Sequence, residues 1–191
     1  RDWSSDVCSS DLRYLDGMTP LTGGRGNARL TGDNFRITVD SGSVGPIAVS
    51  AGEFTIAGLH LHGAPGRIKL HAEGKMPDVM ALIDQQPLGY AKRFNINPAS
   101  ASGTASVDLD FGLPMLRDLP IEQLRIGVQA KIEDLGIPVD AKRTLEHASV
   151  TLSLDTKSLS SQGSGTLSGV PVTFKWTEDF TAPGVTTRID L

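Results

Sequence analysis

Apolar and polar residues alternate strictly along four segments in the second half of the chain. These segments cover residues 106–113, 124–132, 150–155 and 172–177. A period of two puts all apolar side chains of a strand on one face and the polar side chains on the other. The pattern predicts antiparallel strands that share an apolar face. The predicted apolar face consists of Val107, Leu109, Phe111, Leu124, Ile126, Val128, Ile132, Val150, Leu152, Leu154, Val172, Phe174 and Trp176.

Shorter strands are predicted elsewhere, because many Gly and Pro residues divide the chain into short segments. Strands are expected at residues 27–30, 35–39, 54–59 and 67–73. Ser41-Gly42 and Gly45-Pro46 are predicted turns. Residues 159–167 are rich in Ser and Gly and predict a less buried strand.

One helix is predicted between Met76 and Asn95. Pro77 suits the first helical turn, where its missing N–H is no loss, and Pro87 stops or kinks the helix. A second short helical turn is expected at residues 88–94. The apolar stripe of the first part consists of Val79, Met80, Leu82 and Ile83. This stripe predicts a core helix, with a helix that caps one end of a sheet as the alternative.

These elements predict a mainly β fold: an antiparallel, amphipathic, curved sheet with one short helical segment near residues 77–94. A groove, an open barrel and a sandwich are all compatible with the pattern. The short helix is too small to cover four strands. The apolar face must therefore close on itself, pack on other parts of the protein or face an apolar ligand.

Residues 1–12 do not share the pattern of the rest. Their string, RDWSSDVCSSDL, resembles the translation of sequencing-adapter DNA and lacks strand alternation. We interpret 1–12 as an artefactual segment, 13–184 as one β domain from a larger protein, and 185–191 as the start of a further, truncated strand.

Composition and charge exclude several kinds of function. The formal net charge of −4, without a basic patch, argues against nucleic acid as a partner. The single cysteine, Cys8, excludes a disulfide framework and a cysteine-ligated zinc.

Candidate chemical groups are few. His60 and His62 lie two apart on a predicted strand, and His71 would be the nearest third metal ligand, but polar surface is the favoured interpretation. Asp108 and Asp110 share the predicted solvent face of a strand. We therefore predict no enzymatic activity, no cofactor and no metal site.

Several runs along the chain resemble YhdP-like proteins of the AsmA-like superfamily of Gram-negative bacteria. The most distinctive are the Pro-Leu-Gly-Tyr-Ala run that begins at Pro87 and an ending from Gly169-Val170-Pro171 to Trp176-x-Glu178-x-Phe180. The resemblance covers residues 23–186. The supporting runs are residues 82–84, 87–94, 102–105, 116–121, 167–172 and 176–180.

This resemblance implies a periplasmic protein that is held in the inner membrane by an anchor outside this sequence. It further implies a long β-sheet curled into an apolar groove for phospholipid transport between inner and outer membranes. The implied partners are phospholipid acyl chains, the membrane and the rest of the parent polypeptide. The alternative is a structural scaffold or envelope-assembly module with a closed core and no ligand. A glycan-active β-fold enzyme would need converging carboxylates, which the sequence does not indicate.

Overall fold

A computed structural model describes residues 3–12, 17–85, 97–116, 123–140, 142–182 and 187–191. Within these residues the chain forms one antiparallel sheet and one α-helix, which confirms the predicted fold class. Helix α1 (Met76–Ile83) and a 3₁₀ turn (Pro98–Ser100) lie between the fifth and sixth strands. The strands are β1 (Trp3–Leu12), β2 (Leu21–Thr31), β3 (Asn34–Val44), β4 (Ile47–Ile56), β5 (Pro65–Lys75), β6 (Ser102–Pro114), β7 (Arg125–Pro138), β8 (Thr144–Asp155), β9 (Ser158–Leu167), β10 (Val170–Asp179) and β11 (Arg188–Asp190).

Each strand pairs with the next one in the sequence, so the sheet is a meander from β1 to β11. These two strands form its edges, and the sheet is open and curved. The connections between successive strands alternate between the two ends of the sheet. We call the end that carries α1 and the turn at Gly45-Pro46 the helix end. The opposite end, which carries the 57–64 and 156–157 connections, is the open end.

Helix α1 begins where the sequence predicts. Lys75 has an extended backbone, Pro77 occupies the first turn, and the backbone N–H of Asp84 donates to Met80 O at the end of the helix. Met76 and Met80 are buried on one side. Pro87 and the second helical turn predicted at 88–94 lie outside the described residues.

Two groups of buried side chains meet at α1. The first joins Met76 and Met80 to Ala148 of β8, and the second includes Val44 and Ile47 of β3 and β4. Val79 packs against both groups. In a flat sheet β3 and β8 would be about 24 Å apart, twice the roughly 12 Å length of an eight-residue helix. The sheet therefore curves around α1, and the apolar face that α1 contacts is its concave face.

Local irregularities help to turn side chains onto this concave face. Asp134 of β7 and His147 of β8 both have positive φ, at places where the β7–β8 register shifts. An extra residue in a strand breaks the alternation. As a result Ile132 and Leu135, three residues apart, both join the buried group beside α1. The side chains of Asp134 and His147 bond to each other, with 2.8 Å between Oδ1 and Nδ1.

The concave face is only partly covered. The accessible surface of the chain is 12226 Å², whereas a closed monomer of this mass would expose about 8,800 Å². Among the described residues, no large side chain is less than 2% exposed. The protein thus buries much less of itself than a two-layered domain would.

Several element predictions were wrong in detail. Ser41-Gly42 lies inside β3 and not in a turn. A Cβ on Gly42 would come within 3.0 Å of the Leu21 side chain, so this glycine serves close packing. The strand predicted at 54–59 ends at Ile56. Gly45-Pro46 is a turn as predicted.

Residues 3–12 form an edge strand, although apolar and polar residues do not alternate there. Trp3 pairs with Leu30 and Asp6 with Asn27. This pairing does not test whether the segment is native, and its interpretation as artefactual stays a prediction. None of the helices in the described part of the chain is long and apolar enough to cross a membrane.

Candidate functional site

The concave face is built from cross-strand rows of apolar residues. One row runs through Leu70, Leu109, Val128 and Leu154 on β5 to β8. A second row nearer the open end joins Phe111 to Ile126. Directly opposed side chains of antiparallel strands lie about 5 Å apart, so each row is a continuous apolar band.

The thirteen predicted face residues divide between covered and uncovered positions. Ile132 and Val150 are 9% and 6% exposed because α1 covers them, so they belong to the core of the protein. Val107, Val172 and Phe174 pack against the same group. Leu124 precedes β7 and is not a strand residue. The half-buried strand positions outside that group are Leu109, Phe111, Ile126, Val128, Leu152, Leu154 and Trp176.

A trough of about 610 Å³ crosses β4 to β7 on the convex face. Two polar rows line it, one with Glu53, Lys69 and Asp110 and the other with His71, Asp108 and Gln129. The row Gly52, Leu70, Leu109 and Val128 lies between these two rows. Because the lining side chains belong to the polar rows, this trough is not part of the apolar concave face.

The β3–β5 part of the concave face was missed by sequence reasoning. Ile37, Phe54 and Ile68 continue the Phe111–Ile126 row across these strands. Phe35 and Phe54 contact edge to face, with 6.5 Å between ring centroids. Their alternation was visible in the sequence, but nothing in it placed these strands beside the later ones.

Strand β9 carries small residues where its neighbours are large. A Cβ on Gly163 would lie 3.0 Å from Phe174 and 3.1 Å from Val150. Ser161 is opposite Trp176 and only 4% exposed. The expectation of a less buried strand was therefore wrong at Ser161 and at Leu159, which is 6% exposed. Small side chains here leave room for large neighbours on the concave face.

The open end has an exposed apolar rim. We define the rim as Leu59, Leu61, Met115 and Phe180, each 42% to 53% exposed. Met115 N donates to Ala64 O at 2.8 Å, which holds the 57–64 and 114–116 segments together. Exposed apolar groups that lie together, as on these two segments, are commonly parts of interaction sites.

The convex face carries paired charges. Arg67 Nε donates to Asp110 Oδ1 at 2.8 Å, and His71 Nδ1 lies 2.7 Å from Asp108 Oδ1. The hydrogen bond to Asp108 is the main cause that raises the pKa of His71, and Glu73 adds to it. The predicted solvent position of the two aspartates is confirmed.

Ser106, His71 and Asp108 have the residue types of a hydrolytic triad, a combination that sequence reasoning missed. Ser106 Oγ lies 3.4 Å from His71 Nε2, but Glu73 Oε1 lies 3.3 Å from the same nitrogen. Two flanking carboxylates favour the protonated imidazole, which cannot accept a proton from serine. The neighbouring β6 backbone is paired with β5 and β7, so its N–H groups are used in the sheet. The geometry is that of a surface ion-pair network.

The two histidines considered as metal ligands do not lie where the sequence predicted. His60 and His62 lie in the 57–64 connection and not on a strand, because Gly58 and Gly63 with positive φ turn the chain there. His60 Nδ1 pairs with Asp33 Oδ2 at 2.8 Å. Over the described ranges, no group of three or more metal-ligating side chains comes together.

Comparisons with models of protein families, with curated proteins and with solved structures find no match to this chain.

Proposed function

We propose that the concave face binds lipid acyl chains, in a segment of a periplasmic, inner-membrane-anchored AsmA-like protein that moves phospholipids between membranes. The observation that carries this proposal is the uncovered apolar row Leu70, Leu109, Val128 and Leu154. Half-buried aliphatic side chains along a concave surface offer an acyl chain contact on several sides. The resemblance described above supplies the cellular setting.

The energetics of such a site are simple. Each CH₂ group removed from water contributes about 0.8 kcal/mol, so a long chain is held without hydrogen bonds or charges. We expect the acyl chain to enter from the open end, because α1 covers the helix end. The rim at the open end also presents apolar side chains.

A scaffold with a closed core is the competing function. The helix end favours it locally, since Ile132, Val150 and Ala148 are packed against α1. The two functions differ at the open end, where a scaffold needs a filled core and a groove needs free space. A charge introduced at each end therefore separates them.

The test places one carboxylate at three positions. The first variant is Ile126→Glu, at a residue toward the open end, and the second is Val150→Glu, at a residue under α1. The control is Gln129→Glu, because Gln129 lies on the convex face of the same strand as Ile126. Crosslinking to a photoreactive phospholipid and thermal melting are measured for each variant of the 191-residue chain.

We expect Ile126→Glu to fold and to lose crosslinking by about tenfold or more, because an ion must be desolvated beside an acyl chain. Val150→Glu is expected to unfold, and Gln129→Glu to behave like the unmodified chain. Unchanged crosslinking in folded Ile126→Glu would exclude the groove at this strand. Unfolding of Ile126→Glu would favour the scaffold.

A further inference from the structure

The acidic side chain of Glu178 lies on the concave face. Val172, Phe174, Trp176 and Glu178 alternate along β10, so Glu178 shares the face of the three apolar residues before it. A carboxylate at the end of an apolar strand face is unusual, because charged groups are rarely placed in apolar surroundings without a partner.

One oxygen of this carboxylate has no donor. Glu178 Oε2 is buried from solvent, with less than 1 Å² accessible, and makes no hydrogen bond within the part of the chain that the structure describes. Its cross-strand neighbour is Leu159, which is 6% exposed and cannot donate. A buried acceptor without a donor is unfavourable, so a ligand that supplies a donor gains more here than in water.

The position of Glu178 links it to the apolar row of the concave face. Glu178 faces Leu159, which faces Leu154, and Leu154 begins the row through Val128 and Leu109. Glu178 therefore ends the cross-strand row that the proposed function assigns to the acyl chains. It also lies next to the last residue of β10, two residues before Phe180 of the rim, and hence at the open end.

We infer that Glu178 is the head-group site of the groove and takes lipids whose head group carries an ammonium with N–H donors. This inference rests on the proposed function, because the acyl chains would lie along the row that leads away from Glu178. An ammonium supplies both the positive charge and the donor that Oε2 lacks. A quaternary ammonium supplies the positive charge without an N–H donor. A phosphatidylglycerol head group supplies hydroxyl donors but carries a net negative charge, which the carboxylate repels.

The test compares head groups on identical acyl chains. Native mass spectrometry of the 191-residue chain is run with equimolar phosphatidylethanolamine, phosphatidylcholine and phosphatidylglycerol. We expect the ethanolamine lipid to be bound about tenfold more than the choline lipid, the effect of one charge-assisted hydrogen bond. The glycerol lipid is expected to be bound least. Free ethanolamine at the same concentration should not compete, and competition by it would overturn a lipid as the ligand.

Two variants locate the effect. Glu178→Gln is expected to bring the ethanolamine-to-choline ratio close to one while total lipid binding persists. Glu53→Gln removes the same charge from the convex face and should leave the ratio unchanged. An unchanged ratio in Glu178→Gln would overturn the inference. Even if a variant unfolds, the ethanolamine-to-choline ratio of the unmodified chain tests the head-group preference.

The outcomes separate the two proposals. Equal binding of all three lipids by the unmodified chain would overturn the head-group site and leave the groove intact. Absence of binding by any lipid would overturn the groove, and the head-group site with it.

Discussion

At the scale of single residues, the two faces of the sheet use polar groups differently. On the convex face Asp108 and Asp110 each have a basic partner on β5. The Arg67 and Asp110 side chains are 57% and 40% exposed, so their pair contributes little to stability in water. On the concave face the carboxylate of Glu178 keeps an oxygen without a donor. The convex-face pairs join neighbouring strands, whereas Glu178 Oε2 on the concave face can still accept a hydrogen bond.

The pKa of His71 gives a test of the convex arrangement. Hydrogen bonds to Asp108 and then to Glu73 raise the pKa of His71 above its ordinary 6.5. A raised pKa in the folded state stabilises fully below pH 6.5, and this contribution is lost as the pH rises through the folded pKa. We expect Asp108→Asn to lower the pKa of His71, with part of the rise kept by Glu73.

NMR titration of the imidazole protons measures this change. His147 is the internal control, because Asp134 raises its pKa and is untouched by the substitution. An unchanged pKa of His71 in Asp108→Asn would contradict the geometry of the pair.

At the scale of elements, α1 is the part that closes one end of the sheet. Met80 is 8% exposed and belongs to the buried group with Leu145, Ala148 and Val150. We expect Met80→Ala to lower the free energy of unfolding by about 2–3 kcal/mol, from lost burial and the cavity that remains. Ala81→Ser, at an exposed position of the same helix, should change it by less than about 0.5 kcal/mol.

Urea unfolding followed by circular dichroism measures both variants. A loss of stability in Met80→Ala no larger than that in Ala81→Ser would mean that α1 does not hold the helix end together. A selective increase of lipid binding in Met80→Ala is a separate outcome, which would extend the groove beneath the helix.

The sequence predicts the elements better than their arrangement. Period-two alternation places Leu109, Phe111 and Val128 correctly on one face, and Pro77 marks the start of α1. Gly42 and His62 are misplaced because glycine permits both turns and close packing, and the local pattern does not separate these uses. Alternation also gives no information about the bulge at Asp134, which turns Leu135 inward.

The site could be predicted only in part for a related reason. Alternation identifies the apolar face, but contact between α1 and β8 joins segments far apart in the sequence. Because of that contact, α1 covers Ile132 and Val150, whereas Leu154 lies outside the buried group and is only half-buried. Glu178 has no local signal beyond a carboxylate at an apolar position of β10.

At the scale of the whole molecule, the open sheet has two edges. An unpaired edge can add a foreign strand, and natural sheets protect edges with charged side chains. Among the described residues β11 pairs with β10 at three positions, Lys175 to Thr177, so the rest of β10 has no described strand partner on that side. On the other side β1 covers β2 along its length.

Removal of residues 1–12 tests whether β1 belongs to the domain. Trp3, the aromatic residue of β1, is 53% exposed, so it adds little to burial. The new edge strand, β2, would present the exposed side chains of Arg25 and Arg29, which oppose edge-to-edge association. We expect residues 13–191 to melt within about 3 °C of the full chain, equivalent to about 1 kcal/mol. Size-exclusion chromatography should give the same elution class for both. A fall of many degrees, or self-association of the shortened chain alone, would instead make β1 a structural part of the sheet.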